Sequence, residues 1–382
     1  MNYEDLNLFY YNYLIYKIIP FWEKYALDNN DGAINNCLDN NGKILSKDRY
    51  IFSQARALWV FSALYNRIEK RDKWMSIASG IFDYLKKNGR NEKGEWFYLL
   101  DYTGNVIKGP ISIFSDGFAI YGLNEYYKAS NNDTALDLAQ STYEKVSKRL
   151  RGNDQYLTYP LPSKKGILTH SINMVFCLTF FELGKTLNDK NIINEAKYYA
   201  DRILYIFYSK EKSLLYEYRN KKTPNYKNGF ERVIIPGHAI ESMWFLITIY
   251  RSFNNEKKIK EAIKCVRSHI EFGWDHKFGG IFLSIDSENK RPWWPYWDSK
   301  PWWPITEALY ALLLCHNLYN EKWCLDWYWK VHNYAFKNYP NKGNNEWNQK
   351  LDREGNIIGN VVGLPVKDPF HLPRAIINIL DL

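Results

Sequence analysis

An all-α fold, a toroid of about twelve helices arranged in pairs, is what this 382-residue chain predicts. Three observations carry that prediction. Apolar residues recur at i, i+3, i+4 and i+7 over most of the length, the period of a helix with one buried face. The periodic segments come two by two, joined by a few polar residues such as Asn131 and Asn132, or Asn188 and Asp189. Connections that short make antiparallel helical neighbours. The longer connectors also recur, each an aromatic or β-branched stretch around a polar turn.

In chain order, the period places helices near residues 3–27, 51–70, 72–89, 115–129, 132–150 and 167–187. It continues at 190–208, 237–253, 255–273, 302–319, 320–338 and 370–380. Between them EWFYLLDYTGNVI (95–107), GGIFLSIDSENK (279–290) and EWNQKLDREGNII (346–358) read as β-hairpins set into the loops. SLLYEYRN (213–220) reads as a further extended piece. Helix pair plus hairpin, repeated, describes one ring over 1–382 and not a string of domains. Six pairs closing on themselves give an inner and an outer layer, with loops at one rim lining a central cleft. An open solenoid is the rival. The last helix argues for closure, since its apolar face is buried only by returning to the first helices.

Composition narrows the function. Hydrophobic residues make up 46% and charged residues 24%, ordinary for a globular protein. Aromatics reach 17%, with 15 Trp and 31 Tyr, which serve core packing first and also suit a sugar-binding cleft. The net charge of +9 does not make a nucleic-acid site, because the lysines are scattered among Asn, Asp and Glu without a block of like charge. Cys37, Cys177, Cys265, Cys315 and Cys324 form no CxxC pair, and three of them sit in apolar helical patterns. Reduced core cysteines of a cytoplasmic protein are expected. The opening MNYEDLNLFYYNYL lacks the pattern of a signal peptide, and no apolar run reaches membrane-spanning length. No membrane partner is expected.

Two histidines stand out. His238 in PGHAIESMW and His371 in KDPFHLPR each follow a proline within two residues and open an apolar, helix-like stretch. Two imidazoles on opposite sides of a pocket can exchange protons with opposite faces of one carbon, and histidine's unperturbed pKa suits that work near neutral pH. Glu241 lies three positions after His238 on the same helical face, where it either orients the imidazole or caps the helix. Metal binding is not indicated, since HAIE is not HExxH and no histidine or cysteine cluster completes a site.

Other candidates surround this pair. In KPWWPITEAL, Pro304 suits the first turn of a helix, leaving Trp302 and Trp303 in the preceding loop as a wall for a sugar ring or as a hydrophobic staple. Glu307 follows in the first turn, favoured there by the helix dipole whether or not it has a catalytic duty. Arg56 interrupts an apolar face shared with Phe52, Trp59 and Val60, so it needs an ionic partner or a developing oxyanion. Asp116, His170 and Asn173 are rim candidates for substrate contact, with helix capping the stronger alternative for Asp116. Arg374 follows His371 closely.

Together SQARALWVFSALY, SIFSDGFAIYGLNEYY, PGHAIESMWFL, GWDHKFGGIFLSID, KPWWPITEALYALL, EWNQKLDREG and KDPFHLPRAI, in this order over nearly the whole chain, resemble the N-acylglucosamine 2-epimerase superfamily. That superfamily also holds cellobiose 2-epimerases and aldose–ketose isomerases. The resemblance implies a single (α/α)6 barrel. It implies that Arg56, His238, Glu241, Glu307 and His371 occupy functional positions, acting on C2 of a ring-opened sugar through an enediolate. One histidine removes the C2 proton and the other returns one on the opposite face, while Arg56 stabilises oxygen charge. No metal or cofactor is implied, because the substrate's own carbonyl is the electron sink. The resemblance allows a homodimer.

The leading expectation is a small-molecule sugar substrate, N-acetylglucosamine interconverting with N-acetylmannosamine. An aldose–ketose isomerase or a neutral-sugar epimerase comes next. A glycoside hydrolase needs two opposed carboxylates, for which Asp116 and Glu307 are the available pair. A non-catalytic carbohydrate binder would keep the tryptophans and dispense with both histidines.

Overall fold

A computed structural model describes residues 3–152, 157–161, 166–220, 229–359, 361–363 and 367–382. Helix α1 (Tyr3–Tyr13) runs through a π-helical turn (Leu14–Ile18) into α2 (Ile19–Tyr25). The wider turn falls directly before Pro20, which has no N–H to give to an α-helical ladder. Then come α3 (Ile51–Ala63), α4 (Asp72–Asn88), α5 (Ile113–Ser130), α6 (Asp133–Arg151), α7 (His170–Leu187) and α8 (Lys190–Arg202). The chain ends with α9 (Pro236–Ser252), α10 (Glu256–Gly273), α11 (Trp302–Tyr319), α12 (Lys322–Asn338) and α13 (His371–Leu380). Further π turns extend α3 (Leu64–Ile68) and α8 (Ile203–Phe207). Taken with the helices they extend, these make twelve helical segments among the described residues.

The tight links between partners have a common chemistry. Asn131, Asn188 and Asn320 adopt left-handed backbone at φ of 54°, 51° and 52°, ending α5, α7 and α11. Asn132 and Asp189 then cap the next helix by accepting backbone N–H groups from Ala135, and from Asn191 and Ile192. One residue stops a helix and the next starts its neighbour.

Helices α3, α5, α7, α9, α11 and α13 form the inner layer. Helix α11 is buried on every side from Pro304 to Cys315, as a helix walled by others must be. Outer helices bury a single stripe: α4 turns Trp74, Ile77, Ala78, Ile81 and Leu85 inward and leaves Lys73, Asp83, Lys86 and Lys87 exposed. Helix α13 packs on α11, on α3 and on α1, so the ring closes. The fold is the expected (α/α)6 barrel, and the open solenoid is excluded. All five cysteines are buried free thiols. Among the described residues no helix is long and apolar enough to cross a membrane.

Short strands decorate the rim at which most inner helices begin. Arg49–Tyr50 leads into α3, Ile167–Thr169 into α7, Val233–Ile234 towards α9 and Lys300–Pro301 into α11, each paired with a strand from elsewhere. The expected hairpin at 95–107 forms, with Leu99–Leu100 against Val106–Lys108. In 346–358 Leu351 bridges Ile357, and Lys350–Leu351 also pairs with Lys300–Pro301. The stretch 279–290 is not a hairpin of its own. Its strand Ile285–Asp286 pairs with Val233–Ile234 instead, fastening the start of α9. The 213–220 piece is extended, with Leu214–Leu215 on Tyr208–Ser209 and Tyr218–Asn220 on Ile167–Thr169.

Candidate active site

The starts of the inner helices surround a cavity of about 480 Å3. His238, Glu241, Trp302, Trp303, His371, Arg374 and Arg56 line one side of it. Phe114 and Phe118 of α5 and Met174, Val175 and Leu178 of α7 line an apolar side. Two histidines that are 133 positions apart in sequence, by the same spacing that separates Glu241 from Arg374, therefore face one hollow.

His238 is the third residue of α9, after Pro236 and Gly237. A Cβ on Gly237 would come within 2.3 Å of the Trp303 ring, so glycine is what lets the indole approach. Trp303 then sits between the two imidazoles, with ring centroids 5.0 Å from His238 and 5.8 Å from His371. It does so from within the helix. The tryptophans are the first two residues of α11 and not part of the preceding loop, because Pro304 in third place gives up an N–H that has no intrahelical acceptor.

Each imidazole has its own carboxylate. His371 Nδ1 lies 2.8 Å from Glu307 Oε1. Trp244 Nε1–H donates to Glu307 Oε2 at 2.9 Å, and Arg374 donates to Glu307 Oε1 at 2.8 Å and also to Glu241. His238 Nδ1 lies 3.0 Å from Oε2 of Glu217. Glu217 is a residue the sequence argument missed. Glu241, expected to hold His238, is turned to Arg374 instead.

These surroundings set opposite charge states. Burial opposes charge on His238, but the Glu217 carboxylate outweighs it and holds the imidazole above its ordinary pKa. Burial, reinforced by Arg374 and Arg56 against the pull of Glu241, holds His371 well below. Burial would raise the Glu217 carboxyl, yet His238 and His170 hold it well below the usual range. The two imidazoles are thus biased in opposite directions, His238 towards its charged form and His371 towards its neutral one.

Arg56 reaches the cavity with its guanidinium 3.9 Å from the Phe118 ring centroid and Nη1 3.5 Å from Asp368 Oδ2. Three expected contacts lie elsewhere. Asp116 is ion-paired with Arg149 at 2.7 Å, with its carboxyl pushed up to about 6 by burial, and does not line the cavity. Its partner on the next helix captured it, and the opposed-carboxylate pair a hydrolase needs is not formed. Asn173 also faces away, donating to the Thr169 carbonyl and accepting from Arg202 Nε. His170 is fully buried behind His238, with Nδ1 3.4 Å from Glu217 Oε2 and Nε2 3.0 Å from Ser242 Oγ.

Two triads, His170–Glu217–His238 and Glu241–Glu307–His371, bring donor atoms within 4.8 Å of one another. In the second, the Arg374 guanidinium already holds both carboxylates and fills the place of a cation. In the first, both imidazoles turn the same nitrogen to one carboxylate oxygen, a hydrogen-bonding arrangement.

Against known proteins, this chain is similar to the N-acylglucosamine 2-epimerase of Bos taurus, 24% identical over 94% of this chain and 87% of that protein. It is 28% identical to the cellobiose 2-epimerase of Dictyoglomus turgidum over 66% of this chain and 67% of the relative. The solved cellobiose 2-epimerase from Bacillus thermoamylovorans shares the fold, with a TM-score of 0.86 at 18% identity over 99% of both chains. The family model for N-acylglucosamine 2-epimerase matches residues 32–372. That match takes in the starts of all six inner helices and both imidazoles, and the chain belongs to the N-acylglucosamine 2-epimerase family.

Proposed function

We propose that this protein is a sugar 2-epimerase that interconverts N-acetylglucosamine and N-acetylmannosamine by proton transfer at C2. One observation carries the reading: two imidazoles, each backed by its own carboxylate, on a single cavity. With Nδ1–H donated to Glu307, His371 keeps a lone pair on Nε2. That nitrogen takes the C2 proton of the open-chain aldehyde. The C–H electron pair moves into the C1–C2 bond, and the carbonyl pair moves onto O1. The intermediate is an enolate here, and an enediolate only where C2 carries a hydroxyl. His238 then gives its Nε2 proton to the opposite face of C2, and the carbonyl re-forms. The reverse direction starts from the exchanged protonation states.

The apolar wall of Phe114, Phe118, Met174, Val175 and Leu178 favours an N-acyl sugar. It suits the acetyl methyl, whereas hydroxyls of a neutral sugar set there would lose water without gaining partners. The relative in Bos taurus carries the N-acylglucosamine name. The sugar is the sole partner this reading requires.

The test is incubation with N-acetylmannosamine, mannose and cellobiose in deuterated water, followed by NMR. Deuterium at C2 together with N-acetylglucosamine is the expected result. A ketose product would replace the reading with an aldose–ketose isomerase, and no exchange with any sugar would remove it.

Arg56, set over the Phe118 ring of the apolar wall, would meet the negative charge that grows on O1. Arg56→Ala should lower kcat by about 10²–10³-fold with only a few-fold change in KM, the pattern of a group needed mainly in the transition state. Steady-state kinetics on the sugar identified above decide it. A KM effect that dominates would make Arg56 a ground-state contact.

A further inference from the structure

We propose that His170, in its Nδ1–H tautomer, is a positioning residue that shares the Glu217 carboxylate with His238 and limits how strongly that carboxylate favours the charged form of His238. The inference rests on the reading of His238 as the acid of a 2-epimerase.

The geometry is unusual in that a single oxygen, Glu217 Oε2, serves two imidazoles, at 3.0 Å from His238 Nδ1 and 3.4 Å from His170 Nδ1. Oε1 receives the Ser171 N–H at 3.3 Å. The tautomer of His170 follows from Ser242. That hydroxyl lies 3.2 Å from the Ala239 carbonyl, 2.7 Å from the His238 carbonyl and 3.0 Å from His170 Nε2, and it has one proton to give. Both carbonyls sit inside α9 and already accept the backbone N–H four residues on. If Ser242 served either carbonyl, His170 Nε2 would have to donate, and a bare Nδ1 lone pair would face a buried carboxylate. That repulsion in a low-dielectric interior costs more than a carbonyl without a second donor. Ser242 therefore donates to Nε2, and Nδ1–H donates to Glu217.

The consequence appears when His238 gives up its proton. A buried carboxylate left against a neutral imidazole favours the return of a proton to Nε2 unless another donor stays in place. His170 is that donor. It is fully buried, and burial holds it neutral despite Glu217. The other charged groups acting here do not take over the task. His238 feels Glu241 on its own helix, Glu307 on α11 and His371 on α13. The two glutamates are bound to Arg374. His170 feels Glu241 and His269 of α10, whose Nε2 accepts the Leu215 N–H.

The experiment compares the alkaline limb of the kcat/KM profile in the wild type, His170→Phe and His170→Asn. Removing the second donor should move that limb upward by roughly one pH unit in His170→Phe. His170→Asn, which keeps an N–H near the Nδ1 position, should restore it most of the way. Coincident limbs in wild type and His170→Phe overturn the proposal, as do equal shifts in both variants. Nitrogen-15 NMR of histidine-labelled wild-type protein needs neither turnover nor the variants. It should show His170 neutral with its proton on Nδ1 from pH 6 to 8, and an Nε2–H or charged His170 overturns the proposal. Because this readout uses no substrate, failure of the epimerase reading, seen as a wild type without turnover, remains separable from failure of the His170 assignment.

Discussion

Asparagine in place of His371 is expected to lower kcat by about 10³–10⁴-fold while the fold stays intact. An asparagine amide can reach the place of Nδ1 and donate to Glu307, so the bonds around Arg374 and Trp244 survive. It has no basic nitrogen where Nε2 stood. KM should change little, because the loss is confined to the transition state. The pH profile gives a second, independent reading. Turnover needs His371 neutral and His238 charged. His371 titrates well below the ordinary imidazole range, so activity should rise with pH through an acid limb lying low. His238 titrates above its ordinary value, so activity should fall through an alkaline limb on the far side. Between the limbs lies a plateau that covers the ordinary histidine range. In His371→Asn the residual activity should keep the alkaline limb and lose the acid one. Wild-type rates in the variant, or an acid limb that persists, would take His371 out of the mechanism.

The contrast between what the chain announces and what it conceals follows distance in sequence. Helix positions were legible because a 3.6-residue period repeats over many residues, and every expected helix is present to within about a turn of its ends. The rim strands were not, since elements of two or three residues carry no period. Whether 279–290 folds on itself or onto Val233–Ile234 depends on a partner that no local pattern names. The same holds inside the site. His238 and His371 were visible because each opens a helix behind a proline, and Glu241 because it is three residues from His238. Glu217 lies in an extended stretch between Tyr216 and Tyr218, with nothing at helical spacing to mark it. The pairing of Tyr218–Asn220 with Ile167–Thr169, together with the Glu217 N–H donated to the Val233 carbonyl, carries it behind His238. Asp116 and Asn173 were overvalued for the converse reason. Both sit at the starts of inner helices, but Arg149 and Arg202 on neighbouring outer helices turn them away from the cavity.

The place where the ring closes should also be the place where a single charge removal does most damage to stability. Lys367, just before α13, is buried against Glu346, with Nζ 2.8 Å from Oε1 and each side chain 1% exposed. Trp22 of α2 donates its indole N–H to Glu346 Oε2 at 2.7 Å, and the Trp347 N–H reaches Oε1 at 2.8 Å. The ammonium lies 5.3 Å from the Trp22 ring centroid and 5.5 Å from that of Trp302. One ion pair thus joins the first helical segment, the loop after α12 and the segment that delivers His371. Lys367→Met removes the cation and leaves a carboxylate buried without its counter-charge, which costs about 3–5 kcal/mol. Urea unfolding followed by tryptophan fluorescence should show the midpoint falling with little change in slope. Pairing it with Glu346→Gln should recover part of the loss, since the stranded charge is gone while an amide oxygen still accepts from Trp22. The single variant should also turn over more slowly than its folded fraction accounts for. Asp368, which binds Arg56, and His371 lie one and four residues from the released lysine, so both catalytic partners lose their fixed approach to the cavity. A double variant no more stable than Lys367→Met would show that packing around the two tryptophans, and not the buried charge pair, closes the ring.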